Sequence, residues 1–353
     1  LLNIDFYSCL KTDIMKKIGI LTAGGDCPGL NAAIRGVGKT AIVKYGMEVI
    51  GIADGFLGLI NKEYFPLSEE MLSGILTEGG TILGTSREKP FKKKGHMTID
   101  KPKLINDHYN ELGLDCLVCI GGNGTMKTAA RLAEEGLNII GLPKTIDNDV
   151  WGTDQTFGFD SALGIATDAI DRLHSTANSH KRIMVIEIMG HNAGWLTLYA
   201  GMAGGGDVIL IPELDYDMKA VNAYLLDRAN KKKAYSIVVI SEGIKHPKNK
   251  SAASYISDQI EEGTGLEARK TILGYIQRGG SPSPTDRILA TRFGAAAVTL
   301  IAKEQYGRMV IKKGEKTKAL PLSEVAGKLR LVPHNHSLIK KAHGLDICLG
   351  GKK

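Results

Sequence analysis

Cys116-Leu117-Val118-Cys119-Ile120-Gly121-Gly122-Asn123-Gly124-Thr125 is the stretch on which the reading of this 353-residue chain turns. Five apolar residues in a row suit a short strand covered on both faces, as in a parallel sheet. A glycine loop follows, and from 126 to 135 the pattern is helical. Glycines at a strand end let backbone N–H groups approach an anion, and the helix start behind them adds partial positive charge. The same order occurs near the front of the chain. The apolar run 17–21 leads into Thr22-Ala23-Gly24-Gly25-Asp26-Cys27-Pro28-Gly29-Leu30-Asn31 and then a helix. Neither loop is a Walker loop or a G-x-G-x-x-G. Either one alone is equally a tight structural turn, but the repetition favours phosphate binding.

Working outward, the predicted strands are 17–21, 48–53, 116–120, 138–142, 183–188, 208–211, 236–240 and 271–275. Predicted helices fall at 31–44, 126–135, 162–176, 195–203, 218–229 and 286–304. Strand alternating with helix argues for βαβ units. The expected fold class is α/β: two doubly wound, Rossmann-like lobes with mainly parallel sheets and the active site in the cleft between them. No Pro/Ser linker divides the chain, but a new strand–helix series runs from Asp207 onward. The expected division is a larger, donor-binding lobe over 15–155, a second lobe over 156–310 with helices returning to the first, and a C-terminal segment over 311–353. Met15-Lys16-Lys17-Ile18-Gly19 reads as a natural start, which makes 1–14 an upstream extension without a role in the fold.

Composition is that of an ordinary globular protein, with 43% hydrophobic and 24% charged residues. The 43 glycines cluster in short loops, and the net charge of +7 suits small phosphorylated ligands. The short lysine runs 92–94 and 231–233 lack interleaved aromatics and read as solvated surface, so nucleic acid is not expected. No run is long enough to span a membrane. The five cysteines include the pair Cys116 and Cys119, which alternation along a strand sends to opposite faces. They read as buried thiols of a cytoplasmic protein rather than metal ligands.

A third strand end carries Pro143-Lys144-Thr145-Ile146-Asp147-Asn148-Asp149. Two carboxylates leaving one strand together can divide labour, one accepting a hydroxyl proton while the other holds Mg²⁺ on a transferred phosphate. The plainer alternative is an Asx-rich turn. Further along, Arg182 begins a strand, Met189-Gly190-His191 ends it, Glu242 ends another, and Arg269 precedes the run closing in Tyr275-Ile276-Gln277-Arg278. Arginine forks read phosphate and a carboxylate reads sugar hydroxyls. Their common setting at strand ends suggests one anionic sugar site.

Taken together, these motifs in this order resemble the phosphofructokinase family from about Met15 to near the C-terminus. The Lys144-Thr145-Ile146-Asp147-Asn148-Asp149 and Gly274-Tyr275-Ile276-Gln277-Arg278-Gly279 segments separate it from lipid and NAD kinases, which share only a glycine loop. The resemblance implies a glycolytic, cytoplasmic transferase that phosphorylates the 1-hydroxyl of fructose 6-phosphate. It implies Asp147 as base, with Lys144 and Gly124 beside the transfer. Gly24, Arg87, Gly122, Asn123, Gly124 and Thr125 would face the phosphoryl donor. Thr145, Ile146, Asp147, Met189, Gly190, His191 and Glu242 would hold the sugar. Arg182, Arg269, Tyr275 and Arg278 would hold its 6-phosphate, Arg182 and Arg269 reaching in from a neighbouring subunit of a homodimer or homotetramer. Mg²⁺ is the implied cofactor, near Asp149 and Asn123.

Three positions depart from the family pattern: Asn123 and Tyr275 stand where Asp and His are common, and His191 where Arg is. An amide is a weaker Mg²⁺ ligand than a carboxylate. Two further positions bear on the donor. Gly124 leaves room for ATP where pyrophosphate-dependent relatives carry Asp, whereas Lys144 is the residue those relatives carry. The combination resembles the mixed-substrate group. Gly124 favours ATP, with pyrophosphate as the alternative and a catalytically silent sugar-phosphate sensor as the remaining one.

Overall fold

The computed structural model describes residues 15–92 and 100–351. The extension expected over 1–14, and Lys93 and Lys94 of the first lysine run, lie outside the described residues. Strands are β1 (Lys17–Ala23), β2 (Glu48–Ile52), β3 (Tyr64–Pro66), β4 (Cys116–Gly121), β5 (Ile139–Pro143), β6 (Ile183–Ile188), β7 (Val208–Leu210), β8 (Ser236–Ser241), β9 (Ala268–Ile272), β10 (Arg308–Lys313) and β11 (Lys316–Pro321). Helices are α1 (Leu30–Lys39), α2 (Phe56–Asn61), α3 (Lys101–Glu111), α4 (Asn123–Glu134), α5 (Phe159–His180), α6 (Trp195–Ala203), α7 (Met218–Asn230), α8 (Ala252–Thr264), α9 (Pro284–Ala302), α10 (Leu322–Val325) and α11 (Ser337–Gly344).

Strands pair into a seven-stranded sheet, in the order β11-β10-β5-β4-β1-β2-β3, and a four-stranded sheet, β7-β8-β6-β9. Only the edge pairs β2–β3 and β10–β11 are antiparallel. This is the expected α/β architecture with two mainly parallel sheets. Registers such as Gly19 with Leu117, and Leu117 with Ile139, bring the carboxyl ends of β1, β4 and β5 side by side. The order reverses between β1 and β4, the switch point where open parallel sheets leave a crevice for ligands. Cys116, Val118 and Ile120 join one core cluster, while Leu117 and Cys119 join the cluster on the other face. Both thiols are buried and free.

Helix α1 packs against α9 through glycines. A Cβ added at Gly294 would lie 2.6 Å from the Val37 nitrogen and 2.7 Å from the Gly36 carbonyl carbon. After β11 the chain leaves the large sheet and ends against the small one. Its Cys348 N–H donates to Asp207 O and its Cys348 O accepts from Ile209, each at 2.9 Å.

The predicted strand 271–275 is corrected: β9 stops at Ile272, and Gly274–Arg278 winds as a 3₁₀ turn. Gly274 has φ +54, a left-handed value that breaks the extended run just where the apolar pattern continues. The glycine loop after β4 is also shorter than expected, since Asn123 and Gly124 already form the first turn of α4.

Candidate active site

Three strand ends of the large sheet converge on a cleft of about 830 Å³, within the ~300–1,000 Å³ usual for small-molecule sites. At β1, Gly24 adopts φ +90 and its N–H donates to Ser86 O at 2.9 Å, which draws the Ser86–Arg87 loop to the glycine turn. At β4, helix α4 starts on Gly122 with no capping side chain and no acidic residue in its first turn. Its opening amides are therefore free to meet an anion. By contrast, α9 opens on Ser283, whose hydroxyl accepts from Asp286 N. Gly24, Arg87, Gly122, Asn123, Gly124 and Thr125 all line the cleft. The Thr125 hydroxyl is engaged, donating to Ala23 O at 3.3 Å. A Cβ added at Gly124 meets nothing within 4 Å.

The β5 end supplies the acidic loop. Its backbone is fixed by Lys144 N–H to Gly121 O at 2.9 Å and by Asp147 N–H to Thr145 Oγ1 at 3.1 Å. Thr156 N–H donates to Asn148 Oδ1 at 3.0 Å. Lys144 is buried beneath the glycine turn, its ammonium donating to the Ala23 and Gly25 carbonyls. Burial holds its pKa below the ordinary value, and the Arg278 cation acts in the same direction. Asp147 and Asp149 both line the cleft. Asp147 Oδ1 is buried without a hydrogen-bond partner. Desolvation pushes the Asp147 pKa up, offset in part by Arg278. Asp149 is raised to about 6 by desolvation and by the Asp147 charge. Ile146, just before Asp147 in sequence, is fully buried in the core, so its side chain does not reach the cleft.

Across the cleft stands the small sheet. Glu242 Oε1 accepts from Gly190 N–H at 3.2 Å and from His191 N–H at 2.9 Å, tying the end of β8 to the end of β6. His191 has φ +50, which turns its peptide toward that carboxylate. Met189 N–H donates to the buried Gln277 at 2.9 Å. Arg278 spans the lobes, donating to Asp26 O at 3.0 Å. Met189, His191, Glu242, Tyr275 and Arg278 line the cleft together with Thr145. Arg182 and Arg269 do not: both side chains pair with Glu267, outside it.

The sequence reading missed several lining residues. Lys127 and Arg131 lie one helical turn apart along α4, and Arg131 stacks 3.7 Å from the Phe91 ring centroid. The signal was present, because positions 124, 127, 128 and 131 share one face of a helix that starts at the glycine loop. Lys89 and Lys92 also line the cleft, Lys92 as an exposed residue at its rim. Their neighbourhood has no periodicity to reveal it. Among the described residues no group of three or more His, Cys, Asp or Glu side chains clusters as a metal site, and no helix is long and apolar enough to cross a membrane.

Fold and cleft define a two-lobed α/β protein in which open helix and strand ends face a crowded pair of carboxylates. The chain belongs to the phosphofructokinase family, whose profile, Phosphofructokinase, matches residues 17–301. It is 61% identical over 335 residues to "ATP-dependent 6-phosphofructokinase 3" of Bacteroides thetaiotaomicron, covering 95% of this chain and 100% of that protein. It is 44% identical to "Pyrophosphate--fructose 6-phosphate 1-phosphotransferase" of Streptomyces coelicolor, covering 90% of this chain and 96% of that one. Among solved structures, Pichia pastoris phosphofructokinase superimposes with a TM-score of 0.81 at 32% identity; the match covers 88% of this chain and 35% of that longer chain.

Proposed function

We propose that the chain transfers the terminal phosphoryl group of ATP to the 1-hydroxyl of fructose 6-phosphate, the committed phosphorylation of glycolysis, in the cytoplasm. The observation that carries this reading is Asp147, a desolvated carboxylate that lines the cleft. A desolvated carboxylate beside a positioned hydroxyl is a proton acceptor. As the hydroxyl oxygen bonds to the terminal phosphorus, the bond from that phosphorus to the bridging oxygen breaks. The hydroxyl proton passes to Asp147, and ADP leaves with the bridging electrons. The α4 start and Gly24 hold the donor oxygens. Glu242, His191 and the Met189 loop orient the sugar, while Arg278 and Tyr275 face its 6-phosphate. Positioning and charge stabilisation carry most of the barrier reduction in such transfers.

The acidic pair fits a divalent cation. The two carboxylates share a desolvated corner in which the Asp147 charge helps to raise the Asp149 pKa, and a cation there offsets that charge. Mg²⁺ is usually held by one or two carboxylates plus substrate phosphates, and Asp149 with Asn123 would hold it here. When bound, it would neutralise charge on the phosphates. Asn123 already donates to Asp149 O at 3.3 Å, leaving its side-chain oxygen as the available ligand.

ATP is favoured over pyrophosphate by Gly124, whose Cα faces open cleft. Overall identity to relatives does not choose the donor, since one relative is named for each. Lys144 supports the second reading only as a buried cation available to either donor. The subunits act as a homodimer or larger assembly, with Arg182 and Arg269 serving a neighbour's sugar-phosphate site. The test is a coupled assay offering fructose 6-phosphate and Mg²⁺ with ATP and pyrophosphate in parallel. ATP turnover is expected. Turnover with pyrophosphate alone overturns the donor, and turnover with neither overturns the kinase reading.

A further inference from the structure

Residues 326–336 carry no regular helix or strand, yet they are tied at successive points to both lobes. Leu329 bridges Val150, just beyond the acidic loop. The Arg330 N–H donates to Asp149 O at 2.8 Å, and Arg330 Nη1 donates to Asn148 O at 2.9 Å. The same guanidinium lies 3.8 Å from the ring centroid of Trp195, whose indole N–H donates back to Arg330 O at 2.8 Å. Val332 N–H then donates to Glu213 Oε1 at 2.9 Å, and Glu213 also accepts from Gly194 N–H at 2.9 Å. One arginine thus touches the peptides on either side of Asp149 and the first residue of α6, which leads away from the His191 sugar loop.

The geometry around Arg330 is demanding. Asn148 sits at φ +53, a left-handed turn that points its carbonyl at the guanidinium. A partly buried carbonyl needs a donor, and a charged one gives the stronger bond. Trp195 fixes the plane from which the fork donates, since it is 3% exposed and cannot swing away. Burial pulls the Arg330 pKa down, consistent with an ion held by packing rather than by solvent.

We propose that Arg330 is a positioning residue for phosphoryl transfer: stacked on Trp195, it holds the Asn148 and Asp149 carbonyls so that the 147–149 carboxylates keep their place relative to the sugar lobe. The proposal rests on the kinase reading above. A shift of ~1 Å in such a loop can cost about 100-fold in rate even when the changed residue touches no substrate.

The test uses the full chain with Arg330→Met, which keeps an apolar body on Trp195 and the backbone N–H to Asp149 O but removes the guanidinium donor to Asn148 O, and Arg330→Lys, which restores a side-chain donor. In Arg330→Met, kcat is expected to fall by about 10- to 100-fold, with both Michaelis constants within about threefold of the parent and the thermal midpoint little changed. Arg330→Lys recovers a large part of the lost kcat. An unchanged kcat in Arg330→Met overturns the proposal, as does a loss that Arg330→Lys leaves unrelieved. So does a defect confined to the Michaelis constants. Hydrogen exchange supplies a readout independent of activity: the 147–150 amides are expected to exchange at least about tenfold faster in Arg330→Met while those of β4 stay protected. Equal exchange at 147–150 overturns the positioning role whether or not the parent turns over substrate. A parent inactive with either donor refutes the kinase reading instead. If Arg330→Met does not fold, Arg330→Leu, which also lacks a side-chain donor, is read in its place by the same two criteria.

Discussion

Asp147 combines a desolvated carboxylate with a nearby cation, and the two pull in opposite directions. Replacing it with Asn keeps the shape and removes the base, so kcat should fall by at least about 10²–10⁴-fold with the Michaelis constant for fructose 6-phosphate nearly unchanged; near-parental turnover would remove Asp147 from the mechanism. The raised pKa has a sign that can be checked. Its native state binds the proton more tightly than the unfolded chain, so stability contributed by this group is lost as pH rises from the ordinary carboxylate value through the raised one. Asp147→Asn should therefore raise the thermal midpoint at neutral pH and flatten that slope, and the acid limb of kcat/KM in the parent should lie above an ordinary carboxylate. Gly124 makes the second residue-scale prediction. The site has room for a side chain, so Gly124→Asp folds, and its carboxylate repels the interior phosphate of a nucleotide. Like charges placed together cost several kcal/mol, so kcat/KM for ATP should drop by about 100-fold or more while pyrophosphate use is spared or gained. An equal loss with both donors would contradict this account of donor choice.

Elements place these residues through glycine in two different ways. At Gly24 the φ of +90 turns the chain under a ligand. At Gly36 and Gly294 the missing side chain lets α1 and α9 meet backbone to backbone, behind the β1 loop. Gly294→Ala sets a methyl into main-chain atoms that cannot swing aside, and overpacking of this kind costs about 1–3 kcal/mol. A lowered denaturation midpoint with an unchanged m value is the expected result; an unaltered midpoint would mean that the helices separate freely. The element boundaries also show where reading a sequence runs short. The apolar run at 271–275 looked like one strand, but Gly274 takes a left-handed φ and converts its second half into a 3₁₀ turn that presents Tyr275 and Arg278 to the cleft. Strand β3 and helix α2 have only three and six residues, too few for periodicity to register.

At the scale of the whole molecule, the cleft holds only part of the expected arginine set. Arg278 crosses between lobes within one chain, whereas Arg182 and Arg269 share Glu267 on an outer surface. If these two complete a neighbour's site, Arg269→Ala should raise the Michaelis constant for fructose 6-phosphate by about tenfold or more, the loss of one charged hydrogen bond, and leave that for ATP alone. Refolding Arg269→Ala together with the inactive Asp147→Asn chain should then regain activity, because one site of each hybrid pair receives both intact residues. No regain on mixing would mean that each chain completes its own site.

The sequence by itself determined the α/β class, the order of strand-end loops and the chemistry of their residues, because burial on both sheet faces and the demands of phosphate on backbone both leave local marks. Cys116 and Cys119 were separable onto opposite faces from alternation alone. Only the tertiary structure decided that Arg131 stacks on Phe91, that Arg182 and Arg269 turn outward, and that Arg330, far along the chain, braces the peptides beside Asp149. The last of these depends on where the chain returns after β11, and contacts between distant segments follow from packing rather than from any pattern either segment carries.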